Sequence, residues 1–220
     1  MSRLNVLSLL TLLCATPLAA QDKEKLCSDV LRRPLQVGQW ASYNANDGSN
    51  RGSMRMAVVG TEKVAGSSYY WFEVAYNDPS KNDKGKTIVQ LLVPGLDYQP
   101  GSVRGMIVKS GSEPAMRMSD AMLRMTAGQL DENFATEFAR RCKAMDVVGW
   151  EQVTVPAGSF RALHIRDTAD HTDAWFMPDL FFGLVRAKEK DGSTMELTGR
   201  GTDARSSITE TPVTMPGLPR

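Results

Sequence analysis

Methionine is the residue type whose spacing could do chemistry in this chain of 220 residues. Its side chains occur in three close groups, Met54-Arg55-Met56, Met116-Arg117-Met118 and Met122-Leu123-Arg124-Met125. Thioether sulfur is a soft ligand for Cu(I). Met118, Met122 and Met125 also follow the i, i+4, i+7 spacing of one helix face, which favours packing against a sheet. Because methionine is flexible and polarizable, the same face is suited to line an apolar ligand groove. All three interpretations stay open.

Histidine and aspartate give a second candidate for a metal site. His164 lies in an alternating strand pattern, whereas His171 lies in the acidic loop 167–173. Zinc or copper requires two or three such ligands that converge. A calcium loop requires a glycine at its turn, and this loop has none. We therefore expect no metal here, and expect the aspartates to accept hydrogen bonds from the local backbone.

Catalytic motifs are missing from the sequence. It contains no Gly-x-Ser-x-Gly nucleophile elbow and no phosphate-binding loop. Glu151 and Glu196 are candidates for a carboxylate pair, but their spacing does not distinguish them from charges on a strand surface. We predict no catalytic residue, no cofactor and no enzymatic activity.

Residues 1–20 have the three-part pattern of a secretory signal. Arg3 precedes a short apolar run, and Pro17-Leu18-Ala19-Ala20 supplies the small residues of a cleavage site. The run is shorter than the roughly 20 residues that cross a bilayer, so no transmembrane segment is expected after cleavage. The predicted location is periplasmic or secreted.

Two cysteines, Cys27 and Cys142, remain once Cys14 leaves with the signal. In an oxidising compartment, two cysteines most simply form one disulfide, and they lack the Cys-x-x-Cys spacing of a redox pair. The chain has 26 basic and 25 acidic residues, and the signal carries a single basic residue and no acidic one. A mature chain so close to neutral gives no reason to expect a nucleic-acid partner.

Aromatic residues form a third set of candidates. Trp71 lies in the run Tyr69-Tyr70-Trp71-Phe72, whose side chains must alternate between the two faces of a strand. Trp175 lies in a later strand pattern. Phe181-Phe182 follows Pro178 in an expected loop, where the pair either forms a contact site or folds back over the sheet.

The periodicity predicts a helix, several strands, two helices and several more strands. The helices are expected over 22–33, 119–128 and 131–144, and strands elsewhere between 39 and 210, including 206–210. No strand–helix–strand alternation repeats, so a parallel sheet is not expected. The predicted fold is mainly β (α+β), one curved antiparallel sheet or unclosed β-barrel. It forms a single domain over 21–210, with a helical insert at about 117–144 and a frayed Pro-rich tail at 211–220.

Two C-terminal motifs resemble those of uncharacterised secreted bacterial proteins. Val153-Thr154-Val155-Pro156-Ala157-Gly158-Ser159-Phe160 is similar to their V-x-V-P-A-G-x-F hairpin. The segments Ala174-Trp175-Phe176-Met177-Pro178 and Gly183-Leu184-Val185-Arg186 resemble the next two strands of those proteins. Those proteins resemble the periplasmic lipoprotein carriers of the LolA/LolB type. The resemblance implies a curved, unclosed antiparallel barrel with helices on its concave side. No match to the carriers' functional arginine is found, so lipoprotein trafficking is not implied.

These observations predict an exported, non-catalytic binding protein. We expect an apolar ligand, such as an acyl chain or a lipidated protein, on the concave face, with Met118, Met122, Met125, Trp71 and Trp175 as contact residues. The alternative is an envelope structural or assembly factor that acts by protein–protein contact through an exposed patch around Phe181-Phe182.

Overall fold

The fold is mostly β. The computed structural model describes residues 23, 25–27, 30, 32–48, 51–98, 101–126 and 141–215, so the predicted signal and residues 131–140 of the predicted third helix lie outside the described residues. Twelve strands form one curved sheet that does not close on itself. They are β1 (Trp40–Asn46), β2 (Arg51–Val64), β3 (Ser67–Asn77), β4 (Lys86–Val93), β5 (Gly105–Ser110), β6 (Met116–Arg117), β7 (Asp146–Val155), β8 (Gly158–Asp167), β9 (Thr172–Phe176), β10 (Leu184–Lys188), β11 (Thr194–Gly201) and β12 (Val213–Thr214).

The sheet consists of two antiparallel meanders joined edge to edge, the first meander formed by β1 to β6 and the second by β7 to β11. The strand order is β12-β6-β5-β4-β3-β2-β1-β11-β10-β9-β8-β7, so the pairing of β1 with β11 joins the meanders. β12 and β7 are the two edges. β12 runs parallel to β6, and this pair departs from the predicted antiparallel arrangement. The predicted mainly β, unclosed curved sheet is otherwise confirmed.

Short turns hold neighbouring strands in register. The turn between β2 and β3 places Ala65 and Gly66 at φ of 50° and 85°. Positive φ at both central residues matches the right-handed twist of the flanking strands. The predicted Pro156-Ala157-Gly158 turn joins β7 to β8, and the predicted Asp191-Gly192 turn lies between β10 and β11. These local signals fix the order of strands along each meander.

Helical structure is limited in the described part of the chain. Helix α1 (Asp120–Thr126) begins after Ser119, whose carbonyl accepts from the Leu123 N–H at 2.9 Å. A 3₁₀ segment (Pro79–Gly85) connects β3 to β4. Residues 141–144 and the described residues between 23 and 32, apart from the gaps, are helical. None of the described helices is long and apolar enough to cross a membrane.

The predicted disulfide between Cys27 and Cys142 is present. Both cysteines are buried with Leu26, Leu163 and Ile165 against strands β8 and β9. The bond closes a loop with a sequence separation of 115 residues. In the chain-entropy treatment, a loop of this length stabilises the folded chain by about 5 kcal/mol. The N-terminal segment is therefore fixed to the second meander.

The main core lies on the face of the sheet that we call the inner face. Phe72, Val74 and Tyr76 project from this face of β3, because alternate residues of a strand point the same way. Tyr43 is fully buried there, and its hydroxyl donates to the Leu184 carbonyl at 3.1 Å. Burial raises the pKa of the Tyr43 hydroxyl. Phe182 closes the core by stacking on Phe72.

The opposite, outer face of the first meander is covered by a segment that we call the strap (residues 203–214). Glu73, on the outer face of β3, is fully buried beneath it. Its carboxylate accepts from the Ser207 backbone N–H at 2.9 Å, from the Ser207 hydroxyl at 2.7 Å and from Gln90 at 2.8 Å. Arg55 pairs with the same carboxylate at 3.1 Å. The buried negative charge at this junction is thus both paired and hydrogen-bonded.

The structure of the strap differs from two sequence predictions, a strand at 206–210 and a frayed tail from residue 211. The strand predicted at 206–210 is absent, because the Ser207 backbone N–H and the Ser206 and Ser207 side chains bond to Glu73 and Gln90 instead of to a neighbouring strand. The tail predicted to fray from residue 211 includes β12, whose Val213 and Thr214 pair with β6. Residues 216–220 of that tail lie outside the described residues.

Candidate functional site

An apolar groove opens at one end of the sheet, where β1 and β10 finish and β2 and β11 start. We call it the strand-end groove, and its volume is about 210 Å³. Antiparallel neighbours place these termini at the same side of the sheet. The groove has an apolar floor and a polar rim. Its lining consists of Ala45, Gly52, Tyr76, Ala187 and Met195, with Asn46, Asp47, Glu189, Ser193 and Thr194 at the rim.

The groove is continuous with the main core. Tyr76 shares the inner face of β3 with Phe72, and Met195 shares a face of β11 with Leu197, two residues along. Phe72 and Leu197 are buried in the main core, and Met195 packs against that core while half-buried. Tyr76 is 42% exposed. The apolar inner face therefore reaches solvent at this end of the sheet.

Gly52 leaves room for the Tyr76 ring. A Cβ atom at position 52 would lie 2.8 Å from the Tyr76 hydroxyl oxygen, closer than a Cβ contact allows. The Gly52 backbone does not have a positive φ, so glycine serves here by its size and not by its conformational freedom. This close approach was not predicted from the sequence, although a glycine inside a strand indicates a close approach of another group.

A polar cavity lies beside the groove and shares four of its lining residues. Its volume is about 360 Å³. The residues common to both cavities are Ala45, Asn46, Gly52 and Thr194. The rest of the polar cavity is lined mainly by amide, hydroxyl and charged groups, namely Asn44, Arg51, Ser53, Asn77, Pro79 and Glu196. Apolar and polar surfaces thus meet at the ends of β1, β2 and β11.

The three methionines predicted to share one helix face differ in exposure and position. Met118 lies between β6 and α1, where its backbone N–H donates to the Met106 carbonyl at 2.9 Å. Met122 is half-buried and Met125 is 68% exposed. The α1 residue that is buried in the main core is Leu123. A role of the methionines in ligand contact stays a prediction.

The two predicted tryptophans lie in different parts of the sheet. Trp71 is on the outer face of β3, where it packs with Ile107 and Ile208. Trp175 is on β9 and packs against the main core. The structure therefore does not bring Trp71 and Trp175 together, and their predicted role in ligand contact stays a prediction.

His164 is buried among charged groups that the sequence analysis did not connect with it. One ring nitrogen lies 2.9 Å from the Glu151 carboxylate and the other 2.6 Å from the Asp173 carboxylate. Trp175 stacks on the imidazole with ring centroids 4.4 Å apart, and the Trp175 indole N–H donates to Glu151. These contacts link β7, β8 and β9. The alternation of His164 with Leu163 and Ile165 gave no signal of them.

Asp173 is held as a carboxylate by this cluster. Burial acts to raise its pKa, but hydrogen bonds from Arg166 and His164 outweigh burial, so the net pKa is lowered. The Arg166 bond measures 2.6 Å. Glu196 pairs instead with Arg186 at 2.9 Å. Glu151 and Glu196 therefore bond to different sets of partners, and their role as a carboxylate pair stays untested.

Two loop predictions have clear outcomes. Asp167 accepts from the Ala169 and Asp170 backbone N–H groups at 2.9 and 3.2 Å, as expected for the acidic loop. Phe182 is buried and Phe181 is half-buried against the core. An exposed patch around this pair is therefore wrong, since the loop folds back over the sheet.

No protein-family model matches this chain, and no curated protein matches it significantly. A protein from Parabacteroides distasonis described as a lipoprotein has a TM-score of 0.37 and 14% identity, over 78% of this chain and 98% of that protein. A protein from Bacteroides fragilis described as exported, with a YmcC-like fold, has a TM-score of 0.35 and 12% identity. The match covers 76% of this chain and 97% of that protein. MucB in complex with MucA(peri) has a TM-score of 0.44 and 10% identity, and the match covers 88% of this chain and 59% of MucB.

Proposed function

We propose that this chain is an exported, non-catalytic binding protein that holds the apolar end of a lipid or of a lipidated protein in the strand-end groove. The observation that carries the proposal is the continuity of the groove with the main core. Tyr76, Met195, Ala45 and Ala187 extend an apolar face that is elsewhere buried out to solvent. An apolar chain placed there would gain about 25 cal/mol for each Å² of surface removed from water.

The size of the groove defines how much of a ligand it holds. Sites for whole drug-sized molecules have volumes of about 300–1,000 Å³. The groove, at about 210 Å³, is smaller. It therefore suits the end of an acyl chain better than an entire lipid, and the remainder of the ligand lies outside.

The polar cavity supplies a place for the remainder. It adjoins the groove through Asn46 and Thr194, which line both. Its amide and hydroxyl groups donate and accept hydrogen bonds, as the polar part of an amphipathic ligand requires. An amphipathic molecule lying across the ends of β1 and β11 would satisfy both surfaces.

Export is supported by features independent of the groove. Residues 1–20 have the pattern of a secretory signal. The Cys27–Cys142 disulfide is the kind of bond that persists in an oxidising compartment. A periplasmic or secreted location agrees with both features.

The test measures binding of a fatty acid with and without a filled groove. Dansyl-labelled undecanoic acid is titrated into the full-length mature protein and followed by dansyl fluorescence. Ala187→Leu adds three carbon atoms to the groove, and we expect it to weaken binding at least about tenfold. Ala75→Leu makes the same change at a half-buried strand position that does not line the groove, and we expect it to bind like the wild type.

Two outcomes would overturn the proposal. One is the absence of saturable binding to the wild-type protein. The other is equal affinity of wild type and Ala187→Leu while circular dichroism shows both folded, since the ligand would then lie elsewhere.

A further inference from the structure

The outer face carries a third cavity, beneath the strap, that the proposed function does not use. Its volume is about 370 Å³, within the range of about 300–1,000 Å³ of small-molecule sites. The sheet contributes Trp71, Gln90 and Ile107 to its floor, and the strap contributes Ser206, Ile208 and Glu210. We call it the strap cavity.

Trp71 packs against the sheet, and Gly105 leaves room for its indole ring. A Cβ at Gly105 would lie 2.8 Å from the Trp71 ring, and one at Gly60 would lie 3.8 Å from it. A larger residue at 105 would therefore tilt the indole. The arrangement presents a half-buried aromatic surface to the cavity. Aromatic surfaces of this kind contact the apolar faces of ligands.

The charged groups around the cavity are already neutralised by ion pairs. Arg117 lies over the Trp71 ring, 5.3 Å from its centroid, and pairs with Glu62 at 3.2 Å. Glu210 pairs with Lys109. An ionic ligand would have to break one of these pairs, so the site favours a ligand without net charge.

The remaining lining combines apolar carbon with neutral hydrogen-bonding groups. Ile107 and Ile208 extend the apolar surface of Trp71. Thr211 and Thr214 bring hydroxyl groups to the same cavity, whereas the Gln90 amide nitrogen and the Ser206 hydroxyl, which also line it, are bonded to Glu73 and to each other. A long acyl chain would leave these polar groups facing hydrocarbon, at a cost in desolvation. A ligand with an apolar ring face and hydroxyl groups on its edge satisfies both kinds of surface.

We propose that the strap cavity binds a neutral oligosaccharide. A sugar ring packs its C–H face against the apolar floor formed by Trp71, Ile107 and Ile208, beside the Arg117 guanidinium that lies over the indole, and its hydroxyl groups exchange hydrogen bonds with the hydroxyls of Thr211 and Thr214. The site is separate from the strand-end groove, because Trp71 and Tyr76 project from opposite faces of β3. This proposal therefore does not depend on fatty-acid binding.

The test uses nuclear magnetic resonance of the four tryptophan indole groups in the full-length mature protein. Maltotetraose, cellotetraose and N-acetylchitotetraose are titrated separately to about 10 mM, which covers the millimolar affinities of weak sites. We expect at least one of them to shift the Trp71 indole signal in a saturable way. Trp71→Ala should weaken that binding at least about tenfold.

A second variant separates ligand contact from any effect of Trp71→Ala on folding. Thr211 lines the cavity and is exposed, so Thr211→Trp blocks the cavity without changing the core. Thr202→Trp makes the same change at an exposed position just before the strap and outside the cavity. We expect loss of sugar binding in the first and wild-type binding in the second.

Three results would overturn the proposal: no saturable shift with any of the three sugars, unchanged affinity in Thr211→Trp, or a Trp71 shift caused by undecanoic acid and by no sugar. Ala187→Leu should leave sugar binding unchanged. Failure of the strap cavity and failure of the strand-end groove are thereby distinguished.

Discussion

The inner and outer faces of the first meander differ in what covers them. The inner face is covered by apolar side chains, with Phe182 stacked on Phe72 and the main core around them. The outer face is covered by the strap, which is attached through the buried Glu73 carboxylate. Apolar packing is non-directional, so it allows the inner surface to continue to solvent at Tyr76. Hydrogen bonds are directional, so the strap occupies one position over the outer face.

This difference explains why the two cavities suit different ligands. The strand-end groove is an unfilled extension of an apolar core. The strap cavity lies between polar side chains of the strap and an aromatic floor. If apolar packing stabilises the inner face and hydrogen bonds stabilise the outer face, substitutions on the two faces should change the free energy of unfolding by different amounts.

The largest effect is expected from Phe182→Ala on the inner face. Phe182 is 3% exposed and stacks on Phe72 with ring centroids 5.4 Å apart. Truncation of a buried phenylalanine costs about 3–5 kcal/mol. We expect the free energy of unfolding to fall by about 4 kcal/mol in urea denaturation. Phe181→Ala, at the half-buried neighbouring position, should lower the free energy of unfolding clearly less. Equal losses in the two variants would contradict the role of Phe182 in covering the inner face.

A smaller loss is expected from Glu73→Ala on the outer face. This substitution removes the acceptor for Arg55, Gln90 and Ser207, and leaves a partly buried guanidinium without its carboxylate. We expect destabilisation by about 3 kcal/mol, together with faster tryptic cleavage at Arg205 in the strap. Glu73→Gln retains acceptor oxygen and should lose less. If strap cleavage is unchanged in Glu73→Ala, the strap is attached by other contacts.

The smallest loss of stability is expected at acid pH, and it should begin at two carboxylates of the strap, Asp203 and Glu210. Hydrogen bonds lower the pKa of Asp203, chiefly that from Trp40, and of Glu210, chiefly that from Lys109. Because the pKa of each carboxyl group is lower in the folded than in the unfolded chain, its contribution to folding stability is complete above the ordinary pKa values of 3.8 and 4.5. The contribution is lost as the pH falls through the lower folded-state pKa values. The strap should therefore stay attached down to those ordinary values.

The Trp40 indole proton reports this titration directly, since its N–H donates to Asp203 at 2.8 Å. We expect its resonance to shift with a midpoint below 3.8. Asp203→Asn should abolish the shift. A midpoint at or above 3.8 would contradict the assignment of this hydrogen bond as a strap anchor.

Much of the sheet was predictable from the sequence, because its signals are local. Alternation in β3 and the Gly-containing turns after Val64 and Val155 are encoded within a few residues. The disulfide was predictable from the cysteine count, since two cysteines remain after the predicted cleavage. The strand predicted at 206–210 failed because its partner is a side chain on β3, more than 130 residues away.

The candidate sites depended on the tertiary structure. Trp71 and Trp175, two of the five residues predicted for one groove, lie on β3 and β9 in different parts of the sheet, and the pattern within a strand does not show which distant strands become its neighbours. Nothing local relates Gly52 to Tyr76, or His164 to Glu151 and Asp173. By itself, the sequence determined the strand order within each meander, the disulfide and the expected compartment, since short-range periodicity and residue counts carry that information. Only the tertiary structure decided which surfaces meet at the strand-end groove and the strap cavity, because those contacts join residues far apart in the chain.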